Sequence, residues 1–204
     1  LFEYMQTLEF AYLIGIGASF IGNGRASTCN GDNFAYRKDI FYEVGGFKGI
    51  DDLASGDDEL LLQKVAVRYP GRIGFLKSRD AIVYTHAKHT LKEFLQQRRR
   101  WASKSTKYKD KKIVALAVGI WLFNVSLLVN LVLGFYDAYF FKLLAIQFLL
   151  KYIIEVVFLL PITLFLKRSK LVGLLIFLTI IHVLYMVYIG IAGNGRSYVW
   201  KDRV

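Results

Sequence analysis

The run IVALAVGIWLFNVSLLVNLVLGF, Ile113–Phe135, contains no charged residue and decides what kind of fold this chain adopts. As a helix rising about 1.5 Å per residue it would be roughly 35 Å long, enough to cross the hydrocarbon core of a bilayer. Directly before it stands QRRRWASKSTKYKDKK, Gln97–Lys112, which places eight Lys or Arg among the fifteen positions from Arg98 onward. A basic cluster abutting a span reads as the cytoplasmic, lipid-facing flank of that span.

Composition agrees with this reading. The chain has 204 residues, is 55% hydrophobic and 16% aromatic, and carries a formal charge of +11 with a mean hydropathy of +0.38. Soluble domains of this size seldom combine such values. Leu1–Lys112 holds 19 basic and 13 acidic residues, an excess of +6 that the stretch before the span supplies by itself. A nucleic-acid-binding face would spread its charge more widely, so nucleic acid is excluded as a partner. The single cysteine, Cys29, rules out an internal disulfide, and no Cys/His cluster has zinc-site spacing. The opening LFEYMQTLEF lacks the basic n-region and cleavage site of a signal peptide and reads as a chain entered partway through.

Two further spans are expected, over residues 143–166 and 171–193, with 113–135 as the first. Lys151 and Glu155 lie within the middle one, at i and i+4, so they share a face and can neutralise each other. Two readings stand for this pair: a structural contact inside the bundle, or a contact to a polar part of a substrate. His182, in the last span, reads as hydrogen-bonded within the bundle rather than as a metal ligand. The positive-inside rule places Arg98–Lys112 and KRSK, Lys167–Lys170, on one side, which two crossings between them allow. The region 1–112 is then cytoplasmic, 113–195 is the membrane region, and 196–204 is a tail.

Ahead of the spans the pattern is mixed α and β. Leu8–Gly22 is apolar but short, which suits a buried or interfacial helix. A short helix is expected at Lys38–Val44, stopped by Gly45-Gly46, and another along DELLLQKVAVRYP, ending before Pro70. RIGFLK (72–77) and AIVYT (81–85) have strand composition.

Two constellations carry chemistry. Asp57, Asp58 and Glu59 open a helix, where carboxylates serve as caps. The alternative is a general base, since crowded carboxylates raise one another's pKa and a raised carboxylate can take a proton from a hydroxyl. If Thr90–Trp101 is a helix, Gln97, Arg100 and Trp101 fall on one face while Arg98 and Arg99 point elsewhere. An amide, a guanidinium and an indole suit a phosphorylated sugar, and equally suit an interfacial anchor with arginines reaching headgroups.

Taken in order, GDNFAYRKDIFYEVGGF, SGDDELL and QRRRW followed by membrane helices resemble the membrane-bound family 2 glycosyltransferases, a group that includes cellulose, chitin and hyaluronan synthases and ceramide glucosyltransferase. The resemblance covers roughly Gly22–Lys112 and the helical region behind it. It implies an α/β catalytic domain, the C-terminal half of the GT-A type, followed by about three transmembrane helices. It also implies that Asp58 is the catalytic base, with Asp57 in the preceding acidic position. Gln97, Arg100 and Trp101 match the family motif associated with the donor diphosphate and acceptor sugar. Gly31, Asn33 and Arg37, with Ala35 and Tyr36, match a segment near the acceptor pocket.

By the same resemblance the complete enzyme would use a divalent metal, Mg or Mn, held by an Asp-x-Asp motif that this chain lacks. The implied partners are a nucleotide-sugar donor, a lipid-linked or glycan acceptor, and membrane lipids. The implied reaction is inverting transfer in polysaccharide biosynthesis, with the catalytic part on the cytoplasmic face of a bacterial inner (plasma) membrane. The competing reading is a non-catalytic membrane component or scaffold of a polysaccharide synthesis or export system.

Overall fold

The computed structural model describes residues 1–50, 56–103 and 111–192. Among them run seven α-helices: α1 (Phe2–Gly22), α2 (Lys38–Glu43), α3 (Asp57–Arg68), α4 (Leu91–Ser103), α5 (Lys111–Leu133), α6 (Ala138–Phe165) and α7 (Leu175–Ala192). Short 3-10 turns occupy Gly31–Asn33 and Ser169–Leu174.

The α/β expectation is corrected here: no β-strand or sheet occurs among the described residues. RIGFLK and AIVYT are irregular, and Leu76, Val83 and Tyr84 within them are exposed. Strand composition records only that a segment fits a pleated, half-buried surface. Without a neighbouring strand to complete a ladder, that composition does not produce one.

Three helical stretches, Lys111–Leu133, Ala138–Phe165 and Ser169–Ala192, are long and apolar enough to cross a membrane, as an integral membrane protein requires. Only 17%, 11% and 22% of their apolar windows are buried against the rest of the chain. The remaining Leu, Ile, Val and Phe surface is far larger than the apolar patches of a soluble monomer and suits lipid.

Polar groups on these helices turn inward to one another. Asn130 donates to Gln147 Oε1 at 2.8 Å, joining α5 to α6. The α5–α6 corner is set by Asp137, whose carboxylate accepts from Tyr139 N at 2.9 Å and caps α6. On the other side of α5, Trp121 lies against Gly190 of α7 and donates from Nε1 to Val187 O at 3.3 Å.

α1 is not among the spans; it lies against α6, the 169–174 turn and α7. The apolar core forms there from Ala11, Leu159 and Leu175, with Tyr12, Phe158 and Ile162 packed around them. α4 packs against α7. α4, the helix that carries the QRRRW sequence, also meets α1 through side chains, with Phe94 against Phe2 and Trp101 against Phe10.

Candidate active site

The acidic turn is built by glycine. Gly56 precedes α3 with φ +94°, a left-handed conformation that a side-chain-bearing residue adopts only with strain, and its carbonyl accepts from Leu60 N at 2.8 Å. Asp57, Asp58 and Glu59 therefore fill the first turn, where the helix dipole favours negative charge. Their depths differ: Asp57 is exposed, Asp58 half-buried and Glu59 buried. Asp58 Oδ1 accepts from Glu59 N at 2.7 Å, which fixes the carboxylate.

Gly31 is brought against that carboxylate across the chain. A methyl group placed at Gly31 would lie 2.9 Å from Asp58 Oδ2, so glycine is what lets this backbone approach. The turn carrying it is held at both ends. Asn30 Oδ1 accepts from Asp32 N at 3.0 Å, and Asn33 Nδ2 donates to Ala81 O at 2.7 Å. Gln63 of α3 donates to Ser27 O at 2.9 Å and secures the preceding loop. Arg37 does not join this group. It pairs with Asp39 on the surface and holds that carboxyl below the usual carboxylate range.

α4 presents its expected residues in a different way from the one its spacing suggested. Trp101 rests on Phe10 of α1, with ring centroids 6.1 Å apart. Gln97 is half-buried, and Arg100 is half-buried in the last turn. Arg98, expected to point elsewhere toward headgroups, is instead buried and ion-paired with Glu9 of α1. Its guanidinium lies 4.2 Å from the Trp101 ring centroid and 4.6 Å from that of Phe94. One signal in the sequence pointed to this contact: Glu9 is a lone acid in the apolar run LEFAYLIG, and such an acid requires a cation. Lys104–Lys109, expected at the membrane surface, lie outside the described residues, as does the tail.

The structure thus brings Gly31 and Asp58 together, and it groups Gln97 and Trp101 around Arg98. Among the described residues, α3 and α4 are not one of the helix pairs that pack substantially against each other. Among the described residues no set of three or more His, Cys, Asp or Glu gathers as metal ligands.

A second polar cluster lies inside the helical bundle. Lys151 donates to Glu155 Oε1 at 2.6 Å, and Thr179 of α7 donates to Glu155 Oε2 at 2.6 Å. His182 Nδ1 is 3.6 Å from Glu155 Oε1, and its ring stacks on Tyr185 with centroids 5.6 Å apart. The i, i+4 spacing located the first pair; Thr179 and His182 come from another helix and were not signalled by it.

An acidic helix start facing a glycine turn, a helix carrying Gln, Arg and Trp, and three helices long and apolar enough to cross a membrane thus lie along one chain. The sequence model described as Glycosyl transferase family group 2 matches residues 1–192, and the chain belongs to that family. No curated protein and no solved structure matches it.

Proposed function

We propose that this chain is the acceptor-side and membrane part of a glycosyltransferase that moves a sugar, with inversion, from a nucleotide-sugar donor to a lipid-linked or polysaccharide acceptor. The observation that carries the reading is the contact of Gly31 with Asp58, since it seats a segment matching the acceptor motif against the proposed base. Membership of the family over residues 1–192 supports it.

In this reading the Asp58 carboxylate takes the proton of an acceptor hydroxyl as the hydroxyl oxygen bonds to the anomeric carbon. The bond from that carbon to the nucleoside diphosphate breaks, and the diphosphate leaves with the electron pair. Arg100 offers positive charge to the leaving group, while Gln97 and Trp101 contact sugar hydroxyls and a ring face. Asp57 stands next to the base as a second negative charge, and Asn33 and Arg37 lie on the acceptor segment. The described residues do not offer a divalent-ion site, and no step here passes through one. Residues 1–112 are placed on the cytoplasmic face of a bacterial inner membrane, with spans behind them, because Lys111 and Lys112 and the KRSK loop bear the positive-inside signature.

The test is Asp58→Asn in the full-length protein with a panel of nucleotide sugars. Turnover should fall by roughly 10²- to 10⁴-fold, the usual contribution of a general base, while donor binding is retained. Near-normal turnover would sink the assignment.

A further inference from the structure

A buried ion pair links α1 to α4. The Arg98 and Glu9 side chains are only 4% and 8% exposed. Arg98 Nε donates to the two Glu9 carboxylate oxygens at 2.9 and 3.1 Å, and Nη2 donates to Oε2 as the second arm of the fork. Tyr185 of α7 lies behind the acid, its hydroxyl 3.4 Å from Glu9 Oε1.

Adhesion alone does not account for such a pair. Two charges removed from water lose much of their solvation, and an apolar pair of similar volume commonly holds two elements as well or better. An apolar pair could not reproduce the remaining contacts of Arg98. Its Nη1 donates to Gln97 Oε1 at 2.6 Å, and its guanidinium covers the Trp101 ring. One turn before Glu9, Gln6 grips the approach to α4, donating to Lys88 O at 2.8 Å and accepting from Lys88 N at 2.9 Å. The same side of α1 therefore fixes both where α4 begins and how its side chains are aimed.

We propose that Glu9 and Arg98 are positioning residues for sugar transfer: Glu9 orients Arg98, and Arg98 holds the Gln97 amide and the Trp101 ring in their working geometry. This rests on the reading that Gln97, Arg100 and Trp101 serve the transferred sugar and its diphosphate. Arg98 itself is turned into the protein and touches no substrate in this scheme.

The test uses the full-length protein in lipid nanodiscs with two variants. The double variant E9M/R98M replaces the pair by apolar side chains of comparable length, and Glu9→Gln keeps the shape but removes the charge. Both should lower kcat, by roughly ten- to a hundredfold as expected when a reacting group is displaced, with the unfolding temperature of E9M/R98M close to that of the parent. Wild-type kcat in a folded E9M/R98M would overturn the proposal; should that variant not fold, wild-type kcat in Glu9→Gln would do so. A third measurement does not depend on turnover. With every tryptophan of the full-length protein other than Trp101 changed to Phe, Trp101 reports alone, and its emission should shift in both variants because the guanidinium over its ring is lost or moved. Unchanged emission overturns the positioning role. A parent protein that transfers no sugar while its Trp101 emission responds to the variants would instead overturn the function proposed for α4.

Discussion

The membrane bundle and the acidic-turn region handle their polar groups in opposite ways. Within α6 and α7 the ionic contact around Glu155 points inward: Lys151 and Glu155 are 9% and 8% exposed, and Thr179 completes the acid's hydrogen bonding. Around α2 and the end of α3 two ion pairs lie outside. Arg37 and Asp39 are 79% and 58% exposed, and Arg68 and Glu43 are 66% and 42% exposed. Lipid offers no hydrogen bonds, so a polar group among the spans must find its partner within the protein. Water relaxes that demand, and side chains such as Asp57 are left accessible to a substrate. Glu9 and Arg98 follow the bundle's rule although α4 carries the residues proposed to serve the sugar and its diphosphate.

The largest effect should come from breaking the inward rule. Glu155→Leu leaves Lys151 as a buried, uncompensated cation and removes the acceptor of Thr179 and the neighbour of His182. A loss of about 3–5 kcal/mol is expected from such a one-sided change, measured by unfolding in detergent. Lys151→Leu combined with Glu155→Leu should recover most of it, because no charge is then stranded and Thr179 still bonds Leu175 O at 2.9 Å. A double variant as damaged as the single one would show that the pair is not the unit that matters.

A smaller effect isolates packing from charge. Alanine at Gly190 would place its methyl carbon 2.2 Å from Trp121 Cδ1 and 2.3 Å from Nε1, so the indole must move and its bond to Val187 O is lost. The expected cost is about 1–3 kcal/mol, the usual range for overpacking. Gly119, also on α5, has nothing within 4 Å of its added methyl group. Gly119→Ala should therefore leave the unfolding temperature unchanged or slightly raised, since alanine favours helix. Equal responses at the two positions would deny the close α5–α7 contact.

These two helix pairs also mark what sequence can carry. The first span was legible because a long uncharged run has few other uses, and α3 because its apolar residues recur at helical spacing, whereas a helix over Thr90–Trp101 was only a condition under which Gln97, Arg100 and Trp101 share a face. The Lys151–Glu155 contact was legible because both residues sit on one helix, one turn apart. Contacts that join distant parts of the chain were not. Glu9 and Arg98 are 89 positions apart, and although a lone acid in an apolar run calls for a cation, neither spacing nor composition says which one. The same limit governs Gly31 against Asp58, where family resemblance singled out both residues and only the fold placed them together. It governs the strand error as well. AIVYT has strand-like residues, but a strand is a relation between two segments, and no second segment pairs with it among the described residues.

The smallest effect tests the aqueous side of the comparison through pH. At the end of α3, Tyr69 donates from its hydroxyl to Glu43, and Arg68 Nη2 donates to the same carboxylate at 3.2 Å, clamping α2 to α3. The tyrosine hydrogen bond, then that of Arg68, holds the Glu43 carboxyl below the usual carboxylate range, and the carboxylate in turn raises the Tyr69 hydroxyl. A pKa lower in the folded than in the unfolded chain means that the carboxylate form favours folding. Its contribution is complete above the unfolded value and disappears as pH falls through the folded value. Glu43→Gln should therefore unfold at a slightly lower temperature than the parent at neutral pH, with the gap closing as pH drops below the carboxylate range. Because the pair is exposed and screened by solvent, salt should shrink the neutral-pH gap too. A gap that persists unchanged into acid would mean that the clamp acts through the shape of the side chain and not its charge, and the contrast with the buried Lys151–Glu155 pair would then rest on burial alone.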